Sequence, residues 1–277
     1  MPLFYRIRGG LRSSPMSVSL GSSAIRIGVV GAGGRMGAMV CDAVAADPAL
    51  ALVAAVDPKT VGQEIHGVEV GAELRALADA GCDVVVDFTV AGAARVTLSW
   101  LAMHGMHAVV GTTGFSDDDL EMFRTDFSGS NCLIASNFAI SAVLMMRFAE
   151  LAAPFFDTAE IIELHHDAKV DAPSGTAVDT ARRMAAAKGH FAPDPTVHEG
   201  YAGARGGVGP GEIRVHSVRM RGMVAHQEVI LGAAGQTLTI RQDSYDRSGF
   251  MPGVVLACKR VAELPGLTLG LDPLLGF

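Results

Sequence analysis

The sequence predicts an α/β chain in two parts: a doubly wound parallel sheet, then a second α+β domain carrying a mixed sheet. Three observations predict it. Short β-branched runs alternate with helical periodicity from Ile25 to Ala135, the order that builds a parallel sheet covered by helices. A glycine-rich turn follows the first run at once, as in a Rossmann-type unit. Beyond Ser136 the runs alternate polar and apolar residues, which suits strands with one buried face.

Ile25–Val30 reads as a buried strand, and Gly31-Ala32-Gly33-Gly34-Arg35-Met36-Gly37 as the turn. Ala38 to Ala46 reads as helix, stopped at Asp47-Pro48, and Ala51–Val56 as the second strand, closed by Asp57. The glycines fit G-x-x-G-x-x-G rather than G-x-G-x-x-G, because Met36 occupies the position of the last glycine. Glycines let the backbone turn tightly and approach a pyrophosphate seated on the helix N-terminus. Asp57 follows Gly37 by the ~20 residues expected of an acid that bonds a ribose hydroxyl. That acid favours NAD, whereas Arg35 and Lys59 offer partners for the 2′-phosphate of NADP.

The alternation continues. Asp83–Thr89, His107–Val110 and Cys132–Ala135 read as strands, and Gly92–His104 and Asp117–Thr125 as helices. Three strand ends carry small polar residues: Phe88-Thr89, Gly111-Thr112-Thr113 and Ser136-Asn137. Open parallel sheets bind ligands beyond the carboxyl ends of their strands, so the three point to one crevice. His104 and His107 sit near a helix end, where capping or surface roles suit them.

The second part begins with a Met- and Leu-rich helix from Ala139 to Ala152. Ala159–His165 alternates as a strand, and Gly175–Lys188 reads as helix. Residues 189–212 form a Gly- and Pro-rich loop, then Ile213–Arg219, Gln227–Gly232 and Thr237–Arg241 alternate again, with Gly235 as a hairpin turn. Asp246 to Val261 closes the chain as a helical segment. The expected domains are residues 25–136, with 245–277 packing back on them, and residues 137–244.

Composition narrows the function classes. The chain has 277 residues, 49% hydrophobic, with a net charge of −7. This acidity argues against nucleic-acid binding, which needs basic patches. No apolar run reaches the ~18–20 residues of a membrane span. Cys41, Cys82, Cys132 and Cys258 stand far apart, so they read as reduced core residues of a cytoplasmic protein. Residues 1–24 carry Arg6, Arg8 and Arg12 but no apolar block, and read as a flexible extension rather than a signal peptide.

Glu163-Leu164-His165-His166-Asp167-Ala168-Lys169-Val170-Asp171-Ala172-Pro173-Ser174-Gly175-Thr176-Ala177 is the chemically dense stretch. Proton donors lie just before a helix N-terminus, where free N–H groups bind an anion. Histidine suits acid/base work near neutrality. Lysine beside a second cation becomes a better proton donor. His165 and Lys169 are four apart, so a helical turn would pair them. His165 and His166 cannot share a job unless the strand breaks there. The pair could instead start a metal site, but no third ligand stands at metal-binding spacing, and no metal is expected.

Together with the glycine turn, Gly111-Thr112-Thr113-Gly114 and Ser136-Asn137-Phe138, this stretch resembles the 4-hydroxy-tetrahydrodipicolinate (dihydrodipicolinate) reductase family over about residues 25–262. The tail Asp246-Arg247-Ser248-Gly249-Phe250-Met251-Pro252-Gly253 looks like the family too. The resemblance implies a nucleotide-binding domain, a tetramerisation domain, and reduction of hydroxy-tetrahydrodipicolinate with NADH or NADPH in the diaminopimelate route to lysine. It implies His165 as acid/base and Lys169 as proton donor, with His166, Gly175 and Thr176 on substrate carboxylates. Gly31, Ala32, Gly33, Gly34, Arg35, Met36, Asp57, Gly111, Thr112, Thr113, Ala135, Ser136, Asn137 and Phe138 would line the cofactor. Gly222-Met223-Val224-Ala225-His226-Gln227-Glu228 departs from the common Gly-Asp-Ile-Val-Gly-Glu-His and resembles the actinobacterial branch, leaving His226 without a role. Two other readings remain: a semialdehyde dehydrogenase with Cys132 as nucleophile, and a non-catalytic NADH-sensing regulator.

Overall fold

A computed structural model describes residues 24–277. The expected extension therefore lies outside the described residues, except for Ala24. The first sheet has eight strands in the order β13-β7-β6-β5-β1-β2-β4-β3. These are β1 (Ile25–Val30), β2 (Leu50–Val56), β3 (Glu64–Ile65), β4 (Val68–Gly71), β5 (Val84–Asp87), β6 (His107–Val110), β7 (Cys132–Ile134) and β13 (Leu267–Leu269). All its pairings are parallel except β3 with β4. The chain leaves β1 toward β2 on one side and returns to β5 on the other. The order therefore reverses between β1 and β5, where doubly wound sheets open their ligand crevice.

Helices cover both faces. On one lie α1 (Arg35–Ala46) and α7 (Met251–Arg260). On the other lie α2 (Arg75–Asp79), α3 (Ala91–Met103) and α4 (Asp117–Asp126). Helix α1 buries Gly37, Val40, Cys41 and Val44, the i, i+3, i+4, i+7 stripe of a helix lying on a sheet. Helix α4 starts at a capping box between Ser116 and Asp119, with three aspartates in its first turn; both features satisfy the free N–H groups and the helix dipole there.

The second sheet has five strands: β8 (Thr158–His165), β9 (Gly207–Val208), β10 (Arg214–Arg219), β11 (Ala225–Ala233) and β12 (Gln236–Ser244). Their order is β12-β11-β8-β10-β9. It is mixed as expected: β8 runs parallel to β10 and antiparallel to β11. Gly235, at φ 77°, makes the β11–β12 turn. Helices α5 (Ile140–Ala152) and α6 (Gly175–Lys188) pack against this sheet. One core runs from Val40 and Val254 through Val143 and Met145 to Ile161, Val229 and Met184, so the two sheets share a hydrophobic interior.

The structure adds elements that the pattern reading passes over. Residues 58–82 contain β3, β4 and α2, each of two to five residues and too short to show a period. The 189–212 loop contains β9 and a 3₁₀ turn at Pro210–Glu212. The closing segment begins with a 3₁₀ turn, Arg247–Phe250, before α7, and β13 then joins the first sheet beside β7.

Candidate active site

The glycine turn connects β1 to α1. Gly31 adopts φ 80°, a conformation that favours glycine. Its N–H and that of Ala32 are donated to the Val56 carbonyl, at 2.8 and 3.3 Å, and Gly34 N–H to the Gly31 carbonyl. Gly33 N–H is donated to Asp57 Oδ2 at 3.1 Å, while Lys59 N–H reaches Oδ1 at 2.9 Å. The turn is therefore held by the protein itself, and Asp57 locks it. Helix α1 has no side-chain cap and no acid in its first turn. The N–H groups of Arg35 and Met36 have no partner inside the helix and point to a site for an anion. A Cβ at Gly37 would lie 2.0 Å from the Gly31 carbonyl oxygen, so only glycine lets helix and turn approach this closely. These features fit a dinucleotide pyrophosphate.

The other strand ends converge on the same place. Thr89 and Thr112 hydroxyls both donate to Asp87 Oδ1, at 2.7 and 2.9 Å, which ties the ends of β5 and β6. Asp87 is fully buried and its Oδ2 has no partner among the described residues. A Cβ on Gly31 would meet Thr89 at 3.0 Å, and one on Gly111 would meet the Phe88 ring at 2.0 Å. Phe88 in turn packs on Phe138, centroids 5.7 Å apart. The turn after β7 is anchored by Ala135 N–H on the Val110 carbonyl at 3.0 Å. Thr113 and Ser136 are exposed.

Beyond this crevice stands the histidine–lysine stretch. Strand β8 ends at His165, and a turn closed by Lys169 N–H on the His166 carbonyl follows, at 3.2 Å. There is no helical turn between His165 and Lys169; the end of the strand brings them together instead. Because the strand stops there, His165, His166 and Lys169 all line one cavity of about 620 Å³. Val224, Tyr245 and Arg247 line it too. Lys169 shares this cavity with His165, His166 and Arg247 and is paired with a carboxylate. Its ammonium grips Asp171 at 2.7 and 2.8 Å.

Ser174 caps α6, its hydroxyl accepting from Ala177 N–H at 3.2 Å. Gly175 and Thr176 form the first turn, which contains no acid. Thr176, Asn137, His165 and Gln227 line a small pocket that adjoins the larger cavity through His165, Ala225 and Phe250. Gln227 is buried, donates to Thr180 at 2.7 Å, and leaves its own carbonyl oxygen unpartnered among the described residues.

His165 Nδ1 is hydrogen-bonded to Glu163. Glu163 is fully buried and receives Arg219 at 2.8 Å on each oxygen. Burial opposes ionisation of Glu163, but Arg219 and its other donors hold its carboxyl below the usual range. Burial also pushes His165 below its ordinary 6.5, helped by Lys169 and Arg219 and opposed by Glu163. Glu163 and Arg219 carry no role in the sequence reading. The alternation of β8 was a signal for the first, since residues i and i+2 share a face.

His226, left without a role, holds backbone. Its Nδ1 bonds Asp243 at 2.7 Å and its Nε2 accepts from Val224 N–H at 3.2 Å. Cys132 is fully buried and burial drives its thiol well above the ordinary range, which is not the environment of a nucleophile. His104 caps α3, bonding the Trp100 carbonyl at 2.7 Å. No helix is long and apolar enough to cross a membrane, and no cluster of metal-binding side chains gathers, among the described residues.

Comparison with known proteins agrees with this geometry. Residues 25–138 match the family model for the dihydrodipicolinate reductase N-terminus, and residues 141–275 the model for its C-terminus. The chain is 48% identical over 260 residues to the 4-hydroxy-tetrahydrodipicolinate reductase of Corynebacterium urealyticum, covering 91% of this chain and 99% of that protein. It is 49% identical to that of Cutibacterium acnes, with the same coverage. A solved dihydrodipicolinate reductase of Paenisporosarcina sp. TG-14, bound to dipicolinate, superposes with a TM-score of 0.84 at 37% identity, covering 91% of this chain and 99% of that one. GenD2, bound to NAD, shares the fold alone, at 16% identity and a TM-score of 0.62. The chain belongs to the dihydrodipicolinate reductase family.

Proposed function

We propose that this chain reduces 4-hydroxy-tetrahydrodipicolinate to tetrahydrodipicolinate, with loss of water, through the residues of the histidine–lysine cavity. The observation that carries this reading is the meeting of His165, His166 and Lys169 in one cavity, beside the first turn of α6, where the Ser174 cap takes Ala177 N–H and leaves those of Gly175 and Thr176 without a partner inside the helix. The substrate is a small dicarboxylate, like the dipicolinate held by the Paenisporosarcina enzyme.

The β1–α1 turn, Asp57 and the ends of β5, β6 and β7 would hold NADH or NADPH. When bound, the cofactor supplies the hydride. The chain's own residues do the rest. His166 and the first turn of α6, Gly175 and Thr176, hold the substrate carboxylates. Lys169 is the proton donor and His165 the acid/base group. Hydride addition plus one proton, with departure of water, balances the reaction.

Residues 25–136 with 245–277 act as the nucleotide domain, and residues 137–244 as the substrate domain. We also infer a homotetramer. Strand β12 is a nine-residue edge with most of its residues exposed, and a long open edge invites pairing with another copy. A cytoplasmic setting suits four free, buried cysteines.

The test uses the purified chain with substrate made in situ by condensing pyruvate with aspartate semialdehyde. Oxidation of NADH or NADPH that depends on both precursors is expected. No oxidation of either cofactor would overturn the reading. Sedimentation reads the assembly.

A further inference from the structure

Four donors converge on the Glu163 carboxylate. Arg219 places one terminal nitrogen on each oxygen at 2.8 Å, Ser174 N–H reaches Oε1 at 3.2 Å, and His165 Nδ1 meets Oε2. The carboxylate has no exposed surface. Its placement follows from the sheet. Glu163 and His165 share one face of β8, and β10 runs parallel beside it with Ser217 opposite Glu163 and Arg219 opposite His165. Arg219 reaches diagonally across the strands to Glu163 and also donates to the Asp171 carbonyl at 2.6 Å.

We propose that Glu163, braced by Arg219, is the positioning residue that sets the tautomer of His165 and fixes it to the loop bearing Lys169 and the carboxylate-binding turn. The inference rests on the reading of His165 as the acid/base group. Glu163 accepts from Nδ1–H, so the Nε2 of neutral His165 carries the lone pair, as in other base–carboxylate pairs. Its Oε1 holds Ser174, the residue before Gly175 and Thr176. Its partner Arg219 holds Asp171, which in turn grips Lys169. The proton-handling groups and the anion turn are thus registered against one buried carboxylate. An ordinary sheet ion pair needs neither the histidine nor the Ser174 contact. Only a carboxylate can serve, because a glutamine has one acceptor oxygen for four donors.

The charged groups facing His165 are Glu163 on its own strand, Arg219 on β10, and Lys169, with its partner Asp171, on the following loop. His166, Asp246 and Arg247 line the same cavity, and His226 on β11 lines the adjoining pocket. Of these, Glu163 is the carboxylate bonded to the His165 ring. Removing its charge leaves burial, Lys169 and Arg219 to act unopposed on His165.

The experiment compares wild type with Glu163→Gln, which removes the charge, and, should that variant fold poorly, with Glu163→Asp, which draws the carboxylate back by one carbon and breaks its bond to the His165 ring. Three readouts are taken: NADH affinity, the pH profile of kcat, and titration of His165 by NMR of histidine-labelled protein, assigned with His165→Gln. The expected result is unchanged NADH affinity and a kcat lower by on the order of 10²-fold. The His165 titration should move to lower pH, with a parallel shift of the kcat profile. A purely structural role would lower the melting temperature and leave the His165 titration in place. Wild-type His165 titration and profile in a folded Glu163 variant overturn the inference. Full activity of His165→Gln overturns the acid/base reading itself, so the two failures are distinguishable.

Discussion

Asn137 donates from Nδ2 to Thr176 Oγ1 at 3.3 Å, joining the turn after β7 to the first turn of α6. The same side chain accepts Ala139 N–H at 2.9 Å, so one residue ties the dinucleotide sheet to the substrate-side helix. Asn137→Ala removes both bonds. The expected outcome is a substrate KM raised roughly 2- to 10-fold, the worth of a neutral hydrogen bond, measured by steady-state kinetics. An unchanged KM would detach Thr176 from the substrate.

Lys169→Ala should lower kcat by roughly 10²–10⁴-fold, the usual contribution of a positioned proton donor. Lys169 sits on a turn whose ion pair with Asp171 is local, so NADH affinity and melting temperature should hold. Wild-type turnover in this variant would remove Lys169 from the chemistry.

Gly37→Ala would place a methyl 2.0 Å from the Gly31 carbonyl oxygen. Alanine normally favours a helix, but here backbone must move, at a cost of roughly 1–3 kcal/mol. Thermal melts should show the loss, and fluorescence titration should show weakened cofactor binding. Gly34→Ala is the control, since its methyl would come no nearer than 3.1 Å to that oxygen, and it should lose less.

Thiol-alkylating reagents should leave the folded enzyme active. All four cysteines are buried, and burial pushes Cys82 up to about 11 and Cys41 and Cys258 up to about 12. Cys132→Ser should retain hydride transfer. Rapid inactivation by alkylation, together with loss of activity in Cys132→Ser, would restore a nucleophilic role for Cys132.

Stability should rise with pH up to about 6.5 and level off above it. Burial holds His107 and His165 below their ordinary 6.5 in the folded chain. Below 6.5 the unfolded chain binds more protons at these positions, which favours unfolding. Glu163 acts further down: its folded carboxyl lies below the ordinary 4.5, so its stabilisation is lost as pH falls through that lower value. Urea unfolding at pH 5.5 and 7.5 checks the sign. A midpoint higher at pH 5.5 would contradict it.

Much of this molecule is written locally. The alternation of strands and helices, the Gly31–Gly37 turn and the order from β8 through the Ser174 cap of α6 follow from spacing and residue type. Each is decided by neighbours within a few positions. The short pieces β3, β4, α2, β9 and β13 are not legible, because two to five residues cannot display a period.

Spacing brought His165 and Lys169 together by the wrong geometry, since they meet in one cavity at a strand end. His165 and Lys169 stand four positions apart, which suggested a helical turn, but His165 ends a strand and its side-chain partner is Glu163. The sequence by itself determined which residues could carry protons and where an anion could rest. Tertiary structure decided how they are held. Arg219 lies 56 positions from Glu163 and Thr176 lies 39 from Asn137, and only the pairing of β8 with β10 and the docking of α6 bring them together. Such contacts depend on long-range register and on excluding water from a buried carboxylate, and neither leaves a periodic trace in the chain.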